Sequence, residues 1–185
     1  GAGDSDSPLN DEATAVSIAT PIASGISEIL GPDIRFKIAA FSFGSIIAGA
    51  IAELMGPRVK HLVLIGSGGL GLSRSKTPTP EMTRWKGLPN RDEIMQVHRN
   101  NLAAQMFHDP AKIDPLAVRI QLECTAKARL RTVQISRTPV LRECLERISV
   151  PMSGLWGEED ISCRGFIHER RDFIRGLDPA ADFVS

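Results

Sequence analysis

The sequence predicts an α/β fold: a parallel sheet flanked by helices, with a long helical stretch inserted between its strands. Three observations carry that expectation. Residues 35–41, 61–65 and 150–156 are short, mostly apolar runs bounded by Gly or Pro, the pattern of strands covered on both faces. Helical periodicity fills most of the sequence between them. The resulting order, β-α-β, a helical stretch, then β-α-β, requires crossover connections and so parallel pairing.

The elements follow in order. Residues 1–10 have turn chemistry, and residues 11–30 read as helix with Ala15, Ile18, Ile22, Ile26 and Leu30 apolar. Pro21 must kink that helix or start a new one, since it lacks an N–H to donate. Gly31, Pro32 and Asp33 stop it. Residues 35–41 form the first strand. Residues 45–55 form a helix with Ile47, Ile51 and Leu54 on one face, ended by Gly56 and Pro57. Residues 61–65 are a second strand, and residues 66–80, rich in Gly, Ser, Thr and Pro, a loop. Residues 81–147 read as mostly helical, with breaks near Pro89 and from Pro110 to Pro115. Residues 150–156 are the third strand. An amphipathic helix over 164–175 carries Phe166, Ile167, Phe173 and Ile174, and a fourth strand begins near Ala181. No internal repeat is present.

Composition narrows the function classes. A chain of 185 residues can bury a substantial core, and 42% hydrophobic with 24% charged residues is a globular balance. Twenty-two basic and 22 acidic residues give zero net charge, which argues against an electrostatic grip on nucleic acid. Aromatics are few at 5% and Tyr is absent, so platforms for stacking bases are not expected. Cys124, Cys144 and Cys163 show no C-x-x-C spacing and no zinc-type His partner, so no metal is expected and the protein reads as reduced and cytoplasmic. No apolar run reaches the ~18 residues of a membrane span.

The chemistry centres on Ala40-Phe41-Ser42-Phe43-Gly44, between the first strand and the helix after it. This is the strand–turn–helix setting of a nucleophile elbow, G-x-S-x-G, with Ala40 in place of the first Gly. Small residues two before and two after the serine are expected to let the turn close. Ser42 is therefore the candidate nucleophile, inert until a base takes its proton. The backbone N–H of Phe43, at the start of the helix, is the candidate oxyanion donor. Asp160, in Gly157-Glu158-Glu159-Asp160 just past the third strand, is the candidate acid that orients an imidazole. Glu158 and Glu159 read as a solvated turn.

Taken together, these residues resemble the α/β-hydrolases. Residues 3–8 look like the loop after that family's fourth strand, and residues 36–44 like its fifth strand and elbow. Val-Leu-Ile-Gly-Ser-Gly-Gly-Leu-Gly at 63–71 resembles the sixth strand and its exit, and residues 150–160 the seventh strand and acid loop. The resemblance implies a partial hydrolase sheet (strands five to eight) with a helical lid after strand six. It divides the chain into a core part at 1–71, a lid at 72–148 and a second core part at 149–185. It is closest to the lid-bearing hydrolases near the meta-cleavage-product group, and a serine at position 42 disfavours the dehalogenase and epoxide hydrolase branches, which carry Asp there. It implies hydrolysis of a small carbonyl substrate, an ester or a carbon–carbon bond of a diketone, with no cofactor and no metal. Phe41, where carbon–carbon hydrolases often carry Asn, leaves the ester open.

The family's catalytic His follows strand eight and its second oxyanion donor follows strand three, so the sequence is expected to be an internal fragment lacking its base. His61, His98, His108 and His168 do not sit where the fold presents its triad. The lid carries Lys127, Arg129, Arg131, Arg137 and Arg142, read mostly as a solvated face. Arg129, in a segment that loosely resembles the lid Arg-x-x-x-x-Gln of carbon–carbon hydrolases, is the candidate for binding a substrate carboxylate or enolate. Met82 and Trp85 read as lid packing. Two alternatives stand beside this reading. One is a non-catalytic hydrolase-fold binding protein. The other is a dinucleotide-binding domain, since Gly66-Ser67-Gly68-Gly69-Leu70-Gly71 spells G-x-G-x-x-G; that motif requires a helix to begin at once.

Overall fold

A computed structural model describes residue 4 and residues 13–78, 80–130 and 132–185. The expected loop at 3–8 thus lies, apart from Asp4, outside the described residues, as does Arg131. The elements run α1 (Ala15–Leu30), β1 (Phe36–Phe41), α2 (Phe43–Met55), β2 (Val59–Ile65), α3 (Arg91–Gln105), α4 (Pro115–Ala126), α5 (Val133–Ser136), α6 (Val140–Glu146), β3 (Met152–Leu155), α7 (Ile167–Leu177) and β4 (Asp182–Val184). Among the described residues all three strand pairings are parallel, in the spatial order β1-β2-β3-β4. This is the expected sheet.

Register sorts the strand residues onto two faces. Ile38, Leu62 and Met152 lie in one row, and Ala40, Leu64, Gly154 and Phe183 in the next. That face packs into the main core with Ile46, Ile47 and Ile51 of α2, Leu141 and Leu145 of α6, and Ile174 of α7. The other face holds Ala39, Val63, Ser153 and Asp182, then Phe41, Ile65, Leu155 and Val184. Among the described residues it is open: Phe41 is 51% and Val184 58% exposed. The all-buried pattern expected of these strands therefore holds on one side only.

Several local expectations need correction. Of the two outcomes expected at Pro21, a new helix does not start there: Pro21 lies inside α1. It lies on the exposed side, where the carbonyl of Ser17 that loses its partner can face water. Thr14 and Ser17 form a reciprocal capping box that fixes the start of α1. Ile22, Leu30 and Leu54, expected on buried helix faces, are exposed. Helix does not begin at residue 81 but at Arg91, where the Asn90 side chain accepts from the Asp92 N–H at 2.8 Å. The segment before it is pinned as irregular chain by Asn101, which accepts from the Thr83 N–H at 2.8 Å and donates to the Thr83 carbonyl at 2.9 Å.

Close packing sets which helix sits where. A side-chain carbon at Gly49 of α2 would come within 2.7 Å of Leu141 on α6, so these helices meet at a glycine. In contrast to α6, which shares the sheet core, α3 and α4 bury a small core of their own around Leu102, Ile113 and Val118. Arg58 ties the end of α1 to the start of β2. It donates to Ser27 Oγ at 2.8 Å, to the Gly31 carbonyl, and to the Ile34 carbonyl at 3.3 Å.

Candidate active site

The site builds from the carboxyl ends of the first three strands. β1 ends at Phe41, and Ser42 follows with φ 52° and ψ −119°. Among the described residues it is the sole non-glycine with positive φ. Holding a serine there costs on the order of 1–3 kcal/mol, so surrounding contacts must impose it. They are visible. The Ser42 N–H donates to the Ile65 carbonyl at 2.8 Å, which pins the turn to the end of β2. Ser45, fully buried, donates its N–H to the Ser42 carbonyl at 3.1 Å and its Oγ to the Ala40 carbonyl at 2.9 Å. One expectation about this turn fails. A side-chain carbon at Gly44 would meet no atom within 4 Å, because that position faces solvent. Space does not require glycine there.

Phe43 opens α2, two residues earlier than the sequence suggested. As the first helical residue its N–H has no intrahelical acceptor, and it lies at the positive end of the helix dipole.

Asp160 sits in the turn that follows β3, where its N–H donates to the Gly157 carbonyl at 3.0 Å. Its Oδ1 accepts two hydrogen bonds from Ser162, the N–H at 2.9 Å and the Oγ hydroxyl at 2.6 Å. Its Oδ2 is turned toward Gly66, at the exit of β2: a side-chain carbon built on Gly66 would lie 3.6 Å from it. Gly66 has φ 51° and donates its N–H to the Leu155 carbonyl at 2.9 Å, joining the ends of β2 and β3. Glu158 and Glu159 are exposed, and Glu159 pairs with Arg164 at 2.9 Å.

A cleft of about 420 Å³ opens at this strand-end corner, lined in part by Ser42, Ser67, Arg74, Arg137, Ser162 and Arg170. The cleft thus brings Ser42 together with Ser162, the partner of Asp160. It does not include Arg129, which is exposed between α4 and α5, with its charge near Asp4. Of the rest of the basic cluster, Arg137 lines the cleft, while Lys127 and Arg142 are engaged elsewhere. Lys127 pairs with Asp4 at 2.8 Å, and Arg142 pairs with Glu146 at 3.4 Å while lying over the Phe173 ring.

None of the four histidines lines the cleft. His61 is hydrogen-bonded to Ser153 at 2.8 Å on the open sheet face. His98 is buried beside Trp85 with neither ring nitrogen partnered, and burial pushes its pKa below the usual imidazole range. His108 is exposed, 3.9 Å from Glu159, and His168 is exposed on α7.

Sequence reasoning missed Arg170 and Arg74. Arg170 carried a usable signal: it falls three residues after Ile167 and four before Ile174, on the apolar stripe of α7. A cation on such a stripe asks for a partner. Arg74, in a Gly- and Ser-rich loop, carried none.

The G-x-G-x-x-G run at 66–71 opens no helix. The next helix among the described residues begins at Arg91, so the phosphate-binding geometry of a dinucleotide domain is missing. Among the described residues no group of three or more His, Cys, Asp or Glu could hold a metal ion, and no helix is long and apolar enough to cross a membrane.

No protein-family model and no curated protein matches the sequence. Solved structures do. A protein assigned as an aryl esterase from Burkholderia cenocepacia superposes with a TM-score of 0.68 at 17% identity, covering 100% of this chain and 67% of its own. A variant of the meta-cleavage product hydrolase CumD from Pseudomonas fluorescens IP01 gives 0.65 at 20% identity, covering 98% of this chain and 66% of that one. A variant of the N-acyl homoserine lactonase AidH gives 0.62 at 11%, covering 100% and 66%. The chain thus spans about two thirds of each of these structures. These likenesses are structural, and with the parallel order β1-β2-β3-β4 they identify the chain as part of an α/β-hydrolase fold.

Proposed function

We propose that this chain carries the nucleophile and the acid of a serine hydrolase that acts on a small carbonyl substrate. The observation that supports it best is Ser42, a non-glycine residue held at φ 52° between a strand and a helix N-terminus, beside a cleft. Strained residues of this kind cluster where chemistry needs them, which favours a functional serine over an ordinary turn serine. In this reading Ser42 Oγ attacks the substrate carbonyl and the Phe43 N–H holds the developing oxyanion. Asp160 orients the imidazole that deprotonates Ser42. Since no histidine lines the cleft, that base would be supplied from outside this segment, and the activity is assigned to the protein that contains it. The α3–α4 unit, with its separate small core, is the proposed lid over the site. Esters are the favoured substrates. Proteins described as an aryl esterase and an N-acyl homoserine lactonase are among the solved structures that superpose on this chain, which supports that choice.

The test is hydrolysis of short-chain 4-nitrophenyl esters by the full-length protein and its Ser42→Ala variant. We expect kcat/KM to fall by about a thousandfold or more in the variant, the scale of losing a nucleophile. Equal rates for the two proteins would remove Ser42 from the chemistry. An inactive wild type would leave the non-catalytic binding reading.

A further inference from the structure

The cleft at Ser42 is cationic out of proportion to the chain. Arg74, Arg137 and Arg170 all line it and no Asp or Glu does, although basic and acidic residues balance at 22 each over the whole sequence. Arg170 is the informative member. It is only 6% exposed. Its Nη1 donates to the Phe166 carbonyl at 3.0 Å, and its Nε has no hydrogen-bond partner among the described residues. Its ion-pair contact among the described residues is to Glu169 Oε2, at 3.8 Å. That same oxygen already accepts from the Ser73 N–H at 2.9 Å, and the Ser73 side chain and then this N–H hold the Glu169 carboxyl below the usual carboxylate range.

A buried guanidinium with so little compensation is costly unless an anion completes it. Ser67 is a second buried polar group on the same cleft, and its hydroxyl also has no hydrogen-bond partner among the described residues. Arg74 and Arg137 are exposed and can draw an anion inward.

We propose that this cleft recognises a carboxylate on the substrate, with Arg170 and Ser67 as its inner site and Arg74 and Arg137 at its mouth. The planar fork of an arginine matches a carboxylate in a bidentate fashion, which a lysine would not. Resting on the hydrolase reading of Ser42, this names the substrate class: acyl compounds whose far end carries a second, ionised carboxyl group.

The experiment compares mono-(4-nitrophenyl) adipate with 4-nitrophenyl hexanoate, acyl chains of equal length, on the full-length protein. We expect adipate to be favoured in kcat/KM by about tenfold or more, the scale of a charge-assisted hydrogen bond. R170M should bring that ratio close to one. The exposed variants R74A and R137A, which leave the core intact, should each reduce it. Equal kcat/KM for the two esters in the wild type, or a ratio unchanged in all three variants, would overturn the proposal. Calorimetric titration with free adipate separates the two readings. Adipate binding that is lost in R170M, with neither ester hydrolysed, keeps the anion site and sinks the hydrolase reading. Hydrolysis of both esters without adipate binding sinks the anion site alone.

Discussion

Ser42 carries opposing demands. Its backbone is held where L side chains rarely sit, so Ser42→Gly should raise stability, by up to about 1–2 kcal/mol once the greater chain entropy of glycine is set against the strain released. Thermal unfolding of the two proteins reads this directly; a destabilised variant would mean that the elbow is not strained. Ser162 offers a test of Asp160 as the proposed acid. It supplies both hydrogen bonds to Asp160 Oδ1, and its hydroxyl can be removed while its N–H stays. Ser162→Ala should lower kcat by about tenfold, the worth of one hydrogen bond to a charged group, with KM little changed. A loss confined to KM would make Ser162 a binding residue instead. Ser42, Phe43 and Asp160 could be nominated from the sequence because each lies at a strand exit, marked by short apolar runs and small residues. Arg170 was marked by its place on the apolar stripe of α7, but its role was not legible, because the cleft beside it is formed by residues distant in sequence.

At the level of elements, parallel strand order and the helices between them were legible because runs such as 61–65 are dense in β-branched and aliphatic residues. The helical insert was not legible in detail. Its irregular start is held by Asn101 reaching back to Thr83, an 18-residue contact that periodicity cannot reveal. Nor did the sequence foretell that α6 joins the sheet core, which depends on Gly49 letting Leu141 come close. Packing at the sheet makes a sharper prediction. A side-chain carbon at Gly154 would lie 2.6 Å from the Phe183 ring and 2.9 Å from Trp156, whose rings stack at 5.4 Å. Gly154→Ala should therefore destabilise the protein by about 1–3 kcal/mol, measured by denaturant unfolding. In the insert, His98 is buried and neither nitrogen has a hydrogen-bond partner among the described residues. Its pKa is lower in the folded than in the unfolded state, so the unfolded chain takes up the proton first as pH falls. The His98 contribution should be fully present above about pH 6.5 and decline below it, until the folded-state value is passed. His98→Phe should flatten that part of the stability profile; an unchanged slope between pH 7 and 5 would assign it to other groups.

The whole molecule is defined by an asymmetry. One face of its parallel sheet is packed under α2 and α6, while the other presents Phe41, Leu155 and Val184 to solvent, with β1 at the sheet edge. Parallel sheets are ordinarily covered on both faces, and an apolar face beside an unpaired edge invites association. The 185-residue chain on its own should bind a hydrophobic fluorophore in its native state, and Phe41→Lys with Val184→Lys should reduce that signal. A dye-silent monomer would show that this face is covered. The same asymmetry bears on activity, since the proposed nucleophile and acid stand at one end of the sheet and, among the described residues, no histidine lines the cleft at Ser42. The most direct measurement is therefore made on the full-length protein: reaction with a fluorophosphonate, then peptide mass spectrometry. The account predicts a single covalent adduct on Ser42, lost when Asp160 is changed to Asn. Modification at another serine, or none on a folded and otherwise active protein, would contradict it.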